Sequence, residues 1–322
     1  MVSHPNKAAR SGVDSTSQTC GVVGLGHMGE AFARNLLEDG RRVMVFDRNP
    51  APGAALRDAG AAAAAKLDDL AVCDLVLTSL PDDEAVASVA LGADGLAQIM
   101  RPGSVHVSMS TISPGLSRRL DEGHQARGQG FVAAPVLGNP DLARARQLFV
   151  LAAGRPEALD KARPVIERLG QRLFVIGEDP GLANLMKLAG NVLTATTLET
   201  MGEVLALLRK GGVDVHVAFD VLTNSLFDSK VHRTYGGKIV EEHYRPAGMA
   251  APLAVKDLRL ALDEAEHEAV PMPCASLVRD RLVGVMARGW SDFDWSALGL
   301  LAAWEAGLDG GGHAPKSGRV GH

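Results

Sequence analysis

The stretch Thr19–Gly29, TCGVVGLGHMG, decides the fold, because a short apolar run leads directly into a glycine-rich turn. A helical pattern follows the turn and ends at Gly40. A second apolar run, Arg42–Phe46, ends at the acidic residue Asp47. A glycine-rich turn between strand and helix, with an acid after the next strand, is far more specific than an isolated GxGxxG motif. This order predicts a dinucleotide-binding unit.

Each glycine of the turn has a physical task. Gly24 permits the tight turn, Gly26 lets the backbone approach a pyrophosphate, and Gly29 lets the helix pack closely on the strand. The helix N-terminus then offers free N–H groups and a partial positive charge to phosphate. His27 either touches the phosphate or faces solvent. The predicted cofactor contacts in this turn are Gly24, Leu25, Gly26, His27, Met28 and Gly29.

The acid after the second strand bears on the choice of cofactor. Asp47 is placed to accept hydrogen bonds from the adenosine ribose hydroxyls, which favours NAD. Arg48 follows it, and its guanidinium could stack on adenine or meet the 2′-phosphate of NADP. We therefore predict NAD, with NADP as the alternative, and an adenosine site formed by Asp47, Arg48 and Asn49.

Strand and helix signals alternate up to residue 180. Such alternation predicts a mainly parallel sheet, whose ligands bind at the carboxyl ends of the strands. Leu80 and Pro81, and the polar turn that begins at Ser110, lie at such ends. The predicted helices span Ala54–Ala65, Asp82–Leu91 and Gly115–Gly128, and the further strands span Leu75–Leu80, Ser104–Met109, Phe131–Val136, Leu148–Ala153 and Leu173–Ile176.

From Gly181 onward the strand signals fade and the pattern becomes helical. A helix over Leu182–Leu208 would be roughly 40 Å long at about 1.5 Å per residue, and Gly211-Gly212 would end it. Further helices are predicted around Val215–Thr223, Leu253–Glu266, Ala275–Arg288 and Trp295–Ala306. We predict an α/β Rossmann-type domain over 19–180, a long interdomain helix, an all-α domain over 181–308, and disordered tails at 1–18 and 309–322. A cleft between the domains would bind a small substrate.

A polar stripe runs along this long helix. Asn184, Lys187 and Asn191 are three and four residues apart, so they share one face. The stripe would also fit a solvent-facing side, on which Lys187 merely extends to water. Carbonyl reduction, however, needs a proton donor beside the carbon that accepts hydride, and a desolvated lysine serves as acid or base. We predict Lys187 as general acid/base and Asn191 as its partner.

Composition excludes several other classes of function. A net charge of −5 with scattered basic residues gives no footprint for nucleic acid. No apolar run is long enough for a membrane span, and the N-terminus lacks the apolar core of a signal peptide. Three cysteines without CxxC spacing fit a reducing, cytoplasmic setting, and the scattered histidines indicate no metal site.

With these motifs in view, the sequence resembles the β-hydroxyacid dehydrogenase family from about Thr19 to Leu308. The resemblance implies a Rossmann-type domain followed by an all-α domain, a homodimer or homotetramer, and Lys187 and Asn191 in catalysis. It also implies that Leu80, Pro81, Thr111 and Lys256 lie near the cofactor and that Asp257 orients its helix. Four blocks carry the resemblance: Gly24–Gly29, Ala134–Pro140 (APVLGNP), Lys187 with Asn191, and Val255–Leu262 (VKDLRLAL).

One block departs from the family pattern, in which a Ser-Gly-Gly segment binds the substrate carboxylate. Leu137 replaces the serine and Asn139 replaces the second glycine, while Arg146-Gln147 replaces a later Gly-Thr. Leucine donates no hydrogen bond, but the backbone N–H groups of Gly138 and Asn139 could still bind an anion. The predicted substrate site comprises Ser110, Thr111, Leu137, Gly138, Asn139, Lys187 and Asn191.

Three functions follow from these observations. The first is hydride transfer between NAD(P) and a small β-hydroxyacid or semialdehyde. The second is reduction of an aldehyde, ketone or imine without a carboxylate; Leu137 favours it, whereas the related imine reductases usually carry another residue where Lys187 stands. The third is a non-catalytic nucleotide-binding scaffold, against which the intact Lys187 and Asn191 argue.

Overall fold

The computed structural model describes residues 18–308. Apart from Gln18, the two predicted tails lie outside the described residues. A single sheet occupies the first half of the described chain, and helices make up the second half. Within residues 18–308, no helix is both long and apolar enough to cross a membrane.

The sheet has the strand order of a doubly wound fold. Its strands are β1 (Thr19–Val23), β2 (Arg42–Phe46), β3 (Ala62–Ala63), β4 (Leu75–Thr78), β5 (Val105–Ser108), β6 (Gly130–Ala133), β7 (Val136–Leu137), β8 (Leu148–Gly154) and β9 (Gly170–Gly177). They lie in the order β3-β2-β1-β4-β5-β6-β8-β7, and β9 pairs with β8. Strands β1 to β6 are parallel, whereas β8 runs antiparallel to β6 and β7. This order confirms the predicted Rossmann-type fold.

Helices cover the sheet and form the second half of the described chain. Those in the sheet region are α1 (His27–Glu38), α2 (Pro50–Asp58), α3 (Asp83–Leu91), α4 (Leu96–Ile99), α5 (Pro114–Gln125), α6 (Pro140–Arg144) and α7 (Pro156–Ile166). The others are α8 (Gly181–Lys210), α9 (Val215–Thr223), α10 (Lys230–Val240), α11 (Ala251–His267), α12 (Pro273–Ala287) and α13 (Leu298–Glu305). Short 3₁₀ turns span Leu67–Val72, Glu167–Leu169 and Trp295–Ala297.

The 30-residue helix α8 joins the two halves. It packs against α5 and β8 on the sheet side and against α11, α12 and α13 on the helical side. Gly202 brings α13 close, because a Cβ at this position would lie 2.7 Å from the Cα of Gly299. The helical core around α8 includes Leu188, Leu258 and Leu282, all at most 1% exposed. Burying each such side chain contributes about 1.5–3 kcal/mol of transfer free energy.

Two local predictions were wrong for tertiary reasons. The alanine-rich segment Ala54–Ala65 is not one helix: α2 ends at Asp58, Gly60 takes φ +101°, and β3 pairs with β2. The single strand predicted over Phe131–Val136 is interrupted between Ala133 and Val136 and divides into β6 and β7; β6 pairs with β5, and both β6 and β7 pair with β8. The segment Trp295–Ala306 is helical as predicted, with a 3₁₀ turn before α13, whereas α4, α6, α7 and α10 were not predicted.

Candidate active site

The glycine turn combines two packing requirements with one open position. A Cβ on Gly24, whose φ is +86°, would lie 2.3 Å from the Ser79 carbonyl oxygen, and a Cβ on Gly29 would lie 1.8 Å from that of Gly24. At Gly26, by contrast, a Cβ would meet no protein atom within 4 Å. Packing therefore requires the outer glycines, whereas Gly26 leaves room for a group outside the chain, as a bound pyrophosphate needs.

The helix after the turn begins earlier than the sequence indicated. α1 starts at His27, so His27 and Met28 belong to its first turn rather than to the loop. His27 is exposed, and Met28 is half-buried beside the sheet core. Gly26 provides no side-chain cap, so the first N–H groups of α1 are offered to a ligand, as a phosphate site requires.

Asp47 organises the backbone of the glycine turn and of the segment after β2. Its Oδ2 accepts from the Leu25 N–H at 2.6 Å, and its Oδ1 accepts from the Asn49 N–H at 2.8 Å. Asn49 in turn caps α2, because its Oδ1 accepts from the Ala51 N–H at 3.1 Å. The Asn49 side chain is therefore engaged in capping, whereas Arg48 is exposed to solvent.

A cleft of about 710 Å³ lies between the carboxyl edge of the sheet and the helical half. Its walls include the side chains from both halves that carry most of the predicted chemistry. The predicted residues lining it are Met28, Leu80, Pro81, Ser110, Thr111, Leu137, Gly138, Asn139, Lys187, Asn191 and Lys256. The other predicted residues, Gly24, Leu25, Gly26, His27, Gly29, Asp47, Arg48 and Asn49, are not part of its lining.

Lys187 is buried in this cleft, so the alternative of a solvent-facing stripe on α8 is wrong. Lys187 is only 8% exposed, and its Nζ donates a hydrogen bond to Oδ1 of Asn191 at 3.0 Å. Asn191 Nδ2 donates to Oδ2 of Asp257 at 2.5 Å. The spacing of four residues on α8 produces the first bond, but only the packing of α11 on α8 brings Asp257 to the second.

The electrostatics of this group lower the affinity of Lys187 for its proton. Burial is the main cause, and it reduces the pKa of Lys187 from 10.5 to about 8. The negative charge of Asp257 opposes this shift, and the positive charge of Lys256 adds to it. A lysine with this pKa exchanges its proton near physiological pH, as an acid/base group must.

Lys256 is engaged by two partners of its own. Its Nζ lies 2.9 Å from Oδ1 of Asp257 and donates to the Thr111 carbonyl oxygen at 2.6 Å. Asp257 is 2% exposed, so its charge is shared between the Lys256 ammonium and the Asn191 amide. The sequence assigned Asp257 only an orienting task on its helix; the structure places it at the centre of the network.

The two strand-end loops of the wall are tied together by a serine. Ser110 Oγ accepts from the Leu80 N–H at 2.8 Å and is only 4% exposed as a residue. Asn184 fixes the same loop region to α8, since its Oδ1 accepts from the Ile112 N–H at 3.1 Å and its Nδ2 donates to Ser117 Oγ at 2.8 Å. Asn184 is thus a structural tether, although it lies on the same helical stripe as Lys187.

The segment Leu137–Asn139, which replaces the carboxylate-binding Ser-Gly-Gly of the family pattern, forms a corner of the cleft. Leu137 ends β7, and Gly138 follows in a conformation with φ +145°. Asn139 caps α6, because its Oδ1 accepts from the Leu142 N–H at 3.0 Å. Arg146 stands outside the cleft lining and bonds the end of α1 through Asp39 and the Asn35 carbonyl. Its departure from the family pattern thus serves the packing of α1.

Several cleft residues escaped sequence reasoning. They lie on α10 or at its start, on β8 and before α13, and no motif marks them: Phe149, Ser229, Lys230, Thr234, Tyr235 and Trp295. Gly190 was missed as well, although a glycine inside a long helix is itself a signal of close packing.

Comparison with known proteins assigns this arrangement to a class. A family model described as the NAD binding domain of 6-phosphogluconate dehydrogenase matches residues 19–177. A second model, described as the NAD-binding region of NADP-dependent 3-hydroxyisobutyrate dehydrogenase, matches residues 181–301. An uncharacterized oxidoreductase of Bacillus subtilis, YfjR, is 37% identical over 86% of this chain and 97% of its own length. An NAD-dependent L-serine dehydrogenase of Pseudomonas aeruginosa is 31% identical over 87% and 96%.

Solved structures agree with this assignment. A 3-hydroxyisobutyrate dehydrogenase from Salmonella typhimurium is 28% identical, with a TM-score of 0.80 over 88% of this chain and 100% of that chain. An imine reductase from a Pseudomonas species, 21% identical with a TM-score of 0.61 over 88% and 99%, shares the fold. The chain belongs to the β-hydroxyacid dehydrogenase family and is an NAD(P)-dependent oxidoreductase.

Proposed function

We propose that this chain moves a hydride between NAD(P) and a small hydroxyacid or semialdehyde, with Lys187 as general acid/base and Asn191 as its partner. The observation that carries the proposal is the buried Lys187–Asn191–Asp257–Lys256 network, which lines the cleft. A scaffold that only bound a nucleotide would have no need to bury a lysine, because desolvating an ammonium costs stability.

The cofactor site has two ends that fit a dinucleotide. The glycine turn and the first turn of α1 would hold the pyrophosphate, with Gly26 leaving the space for it. Leu80, Pro81 and Thr111 would line the nicotinamide half, beside Lys256. The nicotinamide, when bound, supplies or accepts the hydride. The residues that surround the nicotinamide would exclude water and would hold the reacting carbon of the substrate beside Lys187.

Lys187 then handles the proton that accompanies the hydride. In reduction, its ammonium donates a proton to the oxygen on which negative charge develops. In oxidation, the neutral amine accepts the hydroxyl proton. Because burial brings the pKa of Lys187 to about 8, both forms are populated within about one pH unit of that value. Asn191 orients the amine without adding charge of its own.

Four finer assignments belong to the same proposal. NAD is the preferred cofactor, because Asp47 follows β2 in the position of an acid that binds ribose hydroxyls; Arg48 is the residue that would favour NADP. A homodimer or homotetramer would cover apolar side chains such as Leu193 and Leu207 of α8, which are 68% and 71% exposed. A cytoplasmic location fits three cysteines that are all free, and the domains would divide between residues 180 and 181.

A second function has one specific observation behind it. Leu137 places methyl groups where a serine would bind a carboxylate, which favours a carbonyl or imine substrate without an acid group at that point. Initial rates with both NAD and NADP would separate the two functions. The panel is 3-hydroxyisobutyrate, serine, glycerate, 4-hydroxybutyrate, simple alcohols and amines, with the matching carbonyls and cyclic imines in reverse. Turnover of the acids supports the first function; turnover confined to neutral compounds supports the second.

A further inference from the structure

The cleft has an apolar wall that starts beside the reacting groups. Leu137 and Phe149 are opposite each other in the antiparallel β7–β8 pair, and both line the cleft. Opposite residues in such a pair place their side chains on the same face of the sheet. The two side chains therefore form a continuous apolar surface.

A steric fit fixes the near end of this wall to the catalytic helix. A Cβ at Gly190 would lie 2.9 Å from Cδ2 of Leu137. Gly190 stands three residues after Lys187 and immediately before Asn191, so Leu137 packs on the turn of α8 that carries both residues. Glycine in a helix interior costs roughly 1 kcal/mol relative to alanine, and here the close approach of Leu137 accounts for it.

The far end of the wall carries a positive charge. Lys230, which begins α10, places its Nζ 5.2 Å from the centre of the Phe149 ring. Within residues 18–308, no carboxylate lies within ion-pairing distance of Lys230. The other lysines of the cleft are already engaged: Lys187 with Asn191, and Lys256 with Asp257 and the Thr111 carbonyl. A cation over a ring face keeps its N–H groups available for an anion.

We propose that Lys230 binds the carboxylate of a substrate whose acid group is separated from the reacting carbon by an apolar segment lying along Leu137 and Phe149. The preferred substrates are then semialdehydes and their hydroxyacids with a spacer longer than that of a β-hydroxyacid. This assignment rests on the proposed function of the same cleft. It places the anion at the opposite end of the wall from the altered Leu137–Asn139 block.

The test compares acids with their uncharged esters. Hydroxyacids with increasing numbers of methylene groups between the alcohol carbon and the carboxylate, and the methyl ester of each, are assayed with wild type, Lys230→Gln and Lys230→Arg. Lys230 is exposed, so these variants should fold, and Lys210→Gln, an exposed lysine at the end of α8 outside the cleft, is the matched control. Because a charge-assisted hydrogen bond is lost, Lys230→Gln should raise KM for the preferred acid about tenfold.

Several results decide the matter. The expected pattern is an increase in KM for the acids only, little change for the esters or in kcat, recovery in Lys230→Arg, and no effect of Lys210→Gln.

In a separate experiment, Leu137→Ser should raise kcat/KM for β-hydroxyacids, whose carboxylate lies next to that position, and lower it for the longer acids. Equal changes for acids and esters in Lys230→Gln, or a wild-type preference for the shortest acids, would overturn the assignment. Absence of turnover for every member of the series in wild type would instead reject the proposed function itself.

Discussion

The two ends of the cofactor and substrate site are built in different ways. The phosphate end consists of backbone from one short stretch, Gly24–Gly29, with the Asp47 carboxylate behind it. The reaction end consists of side chains from separate parts of the chain: Lys187 and Asn191 on α8, and Lys256 and Asp257 on α11.

This difference determines what each end is sensitive to. Backbone N–H groups carry no titratable charge. Cofactor binding at the phosphate end should therefore be affected mainly by substitutions that add side-chain volume. The reaction end contains charged groups that are largely buried, so each of them shifts the pKa of its neighbours. The predictions that follow test this distinction, beginning with the largest expected effect.

Replacement of Lys187 by methionine should greatly reduce turnover and, at the same time, make the folded protein more stable. Loss of the acid/base group should reduce kcat by about 10³-fold, with cofactor affinity nearly unchanged because the glycine turn is untouched. The native pKa of about 8 lies below the unfolded value, so burial of this ammonium costs stability at neutral pH. Its removal should raise the free energy of unfolding by about 3 kcal/mol.

Steady-state rates, cofactor titration and thermal unfolding check the three parts of that prediction. Substantial turnover in Lys187→Met would remove Lys187 from the acid/base role. A large loss of cofactor affinity would show that the two ends of the site are not independent.

Alanine at Gly26 and at Gly29 should separate binding from folding. At Gly26 the added methyl meets no protein atom, so stability should stay within about 0.5 kcal/mol, while the methyl fills the pyrophosphate space and raises the cofactor Kd about tenfold or more. At Gly29 the methyl would lie 1.8 Å from the Gly24 carbonyl oxygen, which should cost about 1–3 kcal/mol of stability. Unfolding curves and cofactor titrations measure both. Similar losses of stability in the two variants would contradict this distinction.

Asp257→Asn should move the pH dependence of the reaction. The carboxylate raises the pKa of Lys187 against the effect of burial, so its neutralisation lowers that pKa. In wild type, kcat/KM for oxidation should rise with pH through about 8, where Lys187 becomes neutral, and kcat/KM for reduction should fall there. In the variant both changes should occur at lower pH, and kcat should fall about tenfold as Asn191 loses its carboxylate partner. An unchanged pH profile with reduced kcat would leave Asp257 a purely positional role.

The smallest effect is expected at Asp47. Asp47→Ala should weaken NAD about fivefold, the cost of losing hydrogen bonds to the ribose, and NADP much less. Both cofactors lose the support that Asp47 gives to the Leu25 N–H. Arg48→Ala is the reciprocal variant and should weaken NADP alone. Equal weakening of NAD and NADP by Asp47→Ala would refute the contact with the ribose.

Local signals in the sequence were sufficient for much of the fold. The β1–turn–α1–β2 unit, α8 and α9 were located within a few residues, because each is marked by a regular apolar period or by glycines at its ends. The errors fell where chain neighbours do not decide the structure. Ala62–Ala63 became a strand because β2 offered an edge, although alanine favours helices.

A buried series of hydrogen-bonded polar side chains shows most clearly which contacts local sequence patterns cannot predict. Gln129 donates through Nε2 to two backbone carbonyls, so its Oε1 accepts, at 2.6 Å, from Nδ1–H of His124. His124 Nε2 then accepts from Nδ1–H of His106 at 2.9 Å, and His106 Nε2 accepts from the Thr78 hydroxyl at 3.0 Å. Desolvation lowers the pKa of His124 to about 4, so this series of hydrogen-bonded side chains stays neutral. Residues 78, 106, 124 and 129 carry no shared motif.

The sequence by itself determined the elements whose residues are neighbours in the chain: the glycine turn, the acid after β2, and the Lys187–Asn191 spacing on one helix face. These depend on backbone conformation and on a period of 3.6 residues, which are local properties. Tertiary structure alone decided that Asp257 meets Asn191, that Leu137 rests on Gly190, and that Lys230 caps the wall at Phe149. Those contacts join distant segments, and their energies depend on burial, which exists only once the sheet and the helical half have packed together.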